Sequence, residues 1–154
     1  MKKEVLKRIF EFLEEKEQQN LPVKWKLINN IPLTKEDLNV EGDLDLYETP
    51  ITSLPEGLKP SGNLDLRRTK ITSLPEGLYV GGTLYLSYTK IASLPEGLEV
   101  RGWLNIRETN ITSLPKGLKV YASLDMARTE LTKYTDDEIR HMIKPGFIKG
   151  KIYR

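Results

Sequence analysis

The sequence predicts an α+β solenoid, a stack of rungs with a parallel β-sheet on one face and a helical cap at each end. Three observations lead there. The octet Ile-Thr-Ser-Leu-Pro-Glu-Gly-Leu fills 51–58 and 71–78 unchanged and returns with one substitution at 91–98 and 111–118, always twenty residues on. Each octet follows a short alternation of leucine with other residues, as in Asn63-Leu64-Asp65-Leu66-Arg67. Both ends of the chain leave this period and carry apolar residues at helical spacing. A constant period implies that each rung covers the apolar edge of its neighbour.

Aligned to the period, four complete rungs run from Gly42 to Tyr121. A fifth begins at Ala122 and breaks off at Asp136, and a degenerate one at 28–41 keeps Leu38-Asn39-Val40-Glu41-Gly42 in phase with its successors. The chain reads as one domain over 1–154, with 1–27 as N-terminal helical cap, 28–135 as repeats and 136–154 as C-terminal cap. The period-two alternation makes a half-buried strand, leucines inward. Thr49, Thr69, Thr89, Thr109 and Thr129 stand three residues after the second inward residue of each strand, where a hydroxyl can bond the backbone of the turn. Ile51, Ile71, Ile91, Ile111 and Leu131 point inward next. The Leu-Pro-Glu-Gly-Leu segment returns the chain as an extended or turn-like piece, because proline cannot donate to a ladder. Gly57, Gly77, Gly97 and Gly117 are expected at positive φ or at close contacts between rungs. Leu54, Leu58 and their equivalents close the core.

Composition sets the outer limits. Of 154 residues, 38% are hydrophobic, enough for a real core in one domain. The formal net charge is +2, from 24 basic and 22 acidic residues, which argues against a general attraction to nucleic acid or anionic lipid. Cysteine is absent, so there is no disulfide framework and no thiolate metal site. The charged N-terminus offers no signal-peptide core, and no stretch approaches the length of a membrane span. The expectation is a soluble, cytoplasmic protein.

The repeated Leu-x-Leu-x-x-Thr-x-Ile-x-x-Leu-Pro-x-x-Leu resembles the leucine-rich repeat family, in its short bacterial form. The resemblance covers 42–135 well and 28–41 weakly. One departure is that threonine stands where the family has asparagine, so the family's asparagine ladder is replaced. Short bacterial proteins of this kind include secreted effectors with a separate catalytic domain; only 19 residues follow Thr135 here, too few for one. Near-identical rungs also look like small proteins encoded by bacteria and their phages. That resemblance supplies a setting and not an activity; in that setting a bound partner could be a host protein, and the binding could inhibit it.

The ends call for caps. Val5, Leu6, Ile9, Phe10, Phe12 and Leu13 form an apolar stripe on a helix over about residues 3–18. Its expected role is to cover the first rung, with Trp25 joining it; the alternative is a partner-docking helix. Thr135-Asp136-Asp137-Glu138 is a capping box, and Ile139, Met142 and Ile143 share one face of a short helix stopped by Pro145-Gly146. Residues 147–154 read equally as one more extended piece or as a tail.

Comparing rungs separates frame from display. The outward strand positions vary, and together they show Tyr47, Arg67, Arg68, Tyr85, Tyr88, Trp103, Arg107 and Arg128. Tyrosine, tryptophan and arginine are the types enriched at binding hot spots. At about 4.8 Å per strand the five rungs span roughly 20 Å, enough for a peptide or a protein surface. The expected function is therefore non-catalytic protein binding through this face, centred on Tyr85, Tyr88, Trp103 and Arg107. One alternative is a structural module that forms a homo-oligomer through the same face or a sheet edge.

Other chemistries find less support. Asp45, Asp65 and Asp125 share a column, but Tyr85 and Asn105 interrupt it and arginines adjoin, so no metal site is assigned. His141 is the only histidine and has no nucleophile motif beside it; Gly81-Gly82 lies at a corner rather than in a phosphate loop. No enzyme constellation and no cofactor site is found. Nucleic acid is the remaining alternative, using the arginines and aromatic rings. Six carboxylates on the same face (Asp43, Asp45, Glu48, Asp65, Glu108, Asp125) outnumber its four arginines and oppose a polyanion.

Overall fold

The computed structural model describes residues 2–154, apart from the side chains of Lys2, Lys3, Leu6, Phe10, Gln18 and Gln19. In chain order the elements are α1 (Lys2–Gln19), α2 (Val23–Ile28), β1 (Leu44–Asp45), β2 (Leu64–Asp65), β3 (Tyr79–Val80), β4 (Leu84–Tyr85), β5 (Glu99–Val100), β6 (Leu104–Asn105), β7 (Lys119–Val120), β8 (Leu124–Asp125), a 3-10 turn Glu130–Lys133, α3 (Asp136–Met142), β9 (Phe147–Ile148) and β10 (Ile152–Tyr153).

The rungs stack as a parallel solenoid. β1, β2, β4, β6, β8 and β10 form a six-stranded sheet in which Leu44, Leu64, Leu84, Leu104 and Leu124 lie in register. A second sheet, β3-β5-β7-β9, runs along another side and has no counterpart in the sequence reading. Its ladder reaches into the degenerate rung: the Lys59 amide donates to the Leu38 carbonyl at 2.7 Å and the Ser61 amide to that of Val40 at 2.9 Å. Residues 38–42 therefore keep phase, as their spacing predicts.

The frame follows from its columns. The strand leucines, the isoleucine column, Leu58 and its equivalents, and Val80, Val100 and Val120 are buried in one continuous core. The threonine hydroxyls donate to the carbonyls of Leu46, Leu66, Leu86, Ile106 and Met126, three residues back, at 2.6–2.7 Å. They close the turn within one rung and do not bridge rungs. Gly57, Gly77, Gly97 and Gly117 all take positive φ. At the corners before β2, β4 and β6 the backbone of the neighbouring rung lies too close for a side chain. A Cβ on Gly62, Gly82 or Gly102 would lie 2.6–2.8 Å from the carbonyl carbon of the glycine one rung below.

The last segment is a full rung. Ile152 pairs with Leu124 and Phe147 with Lys119, an offset of 28 residues instead of 20. The eight additional residues accommodate α3, whose capping box forms: the Thr135 hydroxyl accepts from the Glu138 amide, and the Glu138 carboxylate from the Thr135 amide. The Thr135 amide and hydroxyl, both donating to the Glu138 carboxylate, hold that carboxyl below its usual pKa. Ile139 and Ile143 are fully buried in the core. Arg140 on α3 donates to the carbonyls of Ile148 and Gly150.

The N-terminal end departs from expectation. The described residues of the α1 stripe do not cover the first rung: Val5 is 55% exposed, Ile9 48%, Phe12 55% and Leu13 50%. Leu6 and Phe10, the other members of that stripe, have side chains outside the described residues. Trp25 is half exposed as well. Against the rungs lies α2, whose Leu27 and Ile28 pack on the core and whose Lys26 is buried. Lys26 Nζ donates to both Asp37 carboxylate oxygens, at 2.7 and 2.8 Å.

Candidate functional site: the outward face of the six-stranded sheet

The outward face resolves into four columns, two of which serve the frame. In the column between the strand leucines, Asp45, Asp65, Asn105 and Asp125 each accept the amide two residues on, at 2.9–3.1 Å. These short polar side chains fasten the turn that leaves the strand. Among the described residues no group of three or more His, Cys, Asp or Glu could hold a metal ion.

The column before the first leucine bonds rung to rung. Asp43 accepts the Asn63 amide, Asn63 Oδ1 the Thr83 amide and Thr83 Oγ1 the Trp103 amide, at 2.7, 2.7 and 3.2 Å. Ser123 Oγ accepts the Lys151 amide at 3.1 Å. Trp103 breaks the series, because an indole has no acceptor to offer. Its ring is 43% exposed and stacks on Tyr153 of β10, centroids 5.3 Å apart and planes 14° from parallel.

The two columns beyond the second leucine carry the remaining expected site residues. Arg67 is central to one group. Its guanidinium carbon lies 5.3 Å from the Tyr47 centroid and 5.0 Å from that of Tyr85. Its Nε is 2.9 Å from Asp65, and this hydrogen bond raises the Arg67 pKa further. Tyr47 is pushed up too, chiefly by its hydrogen bond with Glu48. Glu48, Arg68, Tyr88, Glu108 and Arg128 form the other group, a ladder up the rungs. Arg68 is 3.2 Å from Glu48 and stands over the Tyr88 ring at 5.4 Å; the Tyr88 hydroxyl donates to Glu108 at 3.2 Å, and Arg128 reaches Glu108 at 2.7 Å. All five members take positive φ, from 54° to 61°, though none is glycine. A left-handed backbone costs a non-glycine residue on the order of 1 kcal/mol or more. Glycine would relieve that cost at every rung, so the side chains are what this column retains.

Tyr47, Tyr88 and Trp103 are thus exposed, Arg68 and Arg128 are exposed but ion-paired, and Tyr85, Arg67 and Arg107 are half-buried. Arg107 has a looser contact with Glu108, at 4.0 Å. Tyr153, 42% exposed, belongs to the face and was missed by the sequence reading. A signal was there: Gly150-Lys151-Ile152-Tyr153 matches Gly102-Trp103-Leu104-Asn105. The second sheet carries its own cation–aromatic series, with Arg101 4.2 Å and Lys149 4.5 Å from the Tyr121 centroid. His141 lies on α3, beside an open hollow of about 480 Å³ shared with Tyr134, Asp137, Glu138 and Met142. No helix among the described residues is long and apolar enough to cross a membrane.

No protein-family model matches this chain, and neither does any curated protein or any solved structure.

Proposed function

We propose that the chain is a non-catalytic protein-binding module of leucine-rich repeat type, with α2 and α3 as its caps. The partner is a protein held on the outward face of the six-stranded sheet. Tyr88, Trp103 and Arg107 form the centre of that surface, with Tyr85 beneath and Tyr153 added at its edge. The observation that carries the reading is Trp103. Its column otherwise ties rung to rung through small polar side chains, and tryptophan gives up that bond to present a large ring beside Tyr153. Large aromatic side chains beside an arginine supply contact area at low entropic cost, as hot spots do. In the bacterial or phage setting that its repeats resemble, such binding would block a host protein in the cytoplasm.

The test is a paired capture from lysate of the source cell. One bait is the native chain; the other carries Tyr88→Ala, Trp103→Ala and Arg107→Ala, with its melting curve checked against the native one. A protein retained by the first and lost from the second supports the reading. Equal retention by both moves the binding site off this face. Retention that falls steeply with salt and needs nucleic acid in the lysate replaces the protein partner by a polyanion.

A further inference from the structure

We infer that α1 is a self-association element, which pairs with the α1 of a second copy of this chain in antiparallel orientation. The helix has 18 residues, about 27 Å of length. Val5, Ile9, Phe12 and Leu13 recur at three- and four-residue spacing and are each about half exposed. A helix of this length owes its stability in water mainly to a covered apolar face, and the rungs leave the described residues of this one about half exposed.

The charges identify the occupant and its direction. Residues 2–8 hold four cations (Lys2, Lys3, Lys7, Arg8) against one carboxylate, Glu4. Residues 11–17 hold four carboxylates (Glu11, Glu14, Glu15, Glu17) against one cation, Lys16. For a helix on its own this polarity is unfavourable, since the macrodipole prefers anions at the N-terminus and cations at the C-terminus. In an antiparallel pair the basic half of each helix faces the acidic half of the other, and the two dipoles oppose. A parallel pair would set like charge against like. The minority charges obey the same rule, because antiparallel pairing centred near residue 10 brings Glu4 level with Lys16 of the second copy. The surface is thus complementary to itself in one orientation, which is the requirement for a two-fold interface. Such a dimer would carry two copies of the sheet face and multiply its hold on a repeated or dimeric target.

Sedimentation equilibrium on the full chain tests this. The expected mass is twice 17.7 kDa, falling to 17.7 kDa on dilution. Lys7→Glu/Arg8→Glu makes the helix acidic along its length, and Glu11→Lys/Glu14→Lys makes it basic. Each variant alone is expected to be monomeric, and an equal mixture to recover the dimer, which shows that neither variant has merely unfolded. Orientation is read from the cysteine-free chain by adding one thiol. Oxidation should join Glu4→Cys to Lys16→Cys in a mixture, and neither variant to itself. The proposal is overturned by a native chain that stays monomeric at its highest soluble concentration, by charge variants that leave the dimer intact, or by disulfides formed within each thiol variant alone. Recruitment of a monomeric chain to anionic vesicles through α1 would overturn it too, in favour of a membrane surface.

Discussion

The helices at the two ends of the solenoid share an amphipathic pattern and have opposite surroundings. α1 and α3 are both amphipathic. Ile139 of α3 and Ile143 at its C-terminal cap are fully buried, the capping box fixes the first turn, and Arg140 reaches the carbonyls of the final rung. On α1 the described apolar residues stand half exposed. At the N-terminal end the contact with the rungs passes to the six residues of α2 and to one buried ion pair. An apolar stripe therefore tells that a helix has a face to cover, but not whether the rungs cover it. For α3 the cover is the adjoining rung, to which a single turn ties it. For α1 the segment after Gln19 leads into a different helix, and its own charges point to a second copy.

Energetics can break that comparison. The largest effect is expected at the N-terminal ion pair. Asp37→Ala removes the carboxylate that holds the buried Lys26 ammonium and should cost about 3 kcal/mol in urea unfolding. The pair also carries a pH signature. Burial pushes the Asp37 carboxyl up, but hydrogen bonds from Lys26 and from the Thr34 amide and hydroxyl outweigh it and leave the pKa lowered. A lowered folded pKa stabilises above the unfolded value, about 4, and that stability is lost as pH falls through the folded value. The stability gap between native and Asp37→Ala should hold from neutral pH to about 4 and close below it.

The C-terminal end comes next. Ile139→Ala opens a cavity between α3 and the core and should cost about 2 kcal/mol or more. Thr135→Ala removes the N-cap acceptor and should cost about 1 kcal/mol. Ile9→Ala is the contrasting case: measured on the dilute chain, it should change stability by no more than about 0.5 kcal/mol. If Ile9→Ala destabilised the dilute chain as much as Ile139→Ala, the two helices would be equivalent caps after all.

Much of the frame was legible because the chain repeats it. Threonine, glycine and leucine columns each had one physical job, and four near-copies fixed the assignment. The second sheet was not legible, because Tyr79-Val80, Glu99-Val100 and Lys119-Val120 are too short to show alternation and follow a proline turn. The last rung was hidden by the eight residues that α3 adds to the period. On the outward face, residue types told which side chains are displayed but not how they contact one another. Arg68, Tyr88 and Arg128 look like free display residues in sequence, yet they bond across rungs from a left-handed backbone. Contacts between residues twenty apart become visible only once the rungs are stacked.

The central claim is that the outward sheet face is the surface that meets a partner. Photo-crosslinking tests it most directly. A benzophenone amino acid is placed at Tyr88 in one bait and at Glu76, on the exposed return turn, in another. The account predicts one discrete crosslinked protein from position 88 and none from position 76. Crosslinking to the same protein only from position 76, or equally from both, would contradict it.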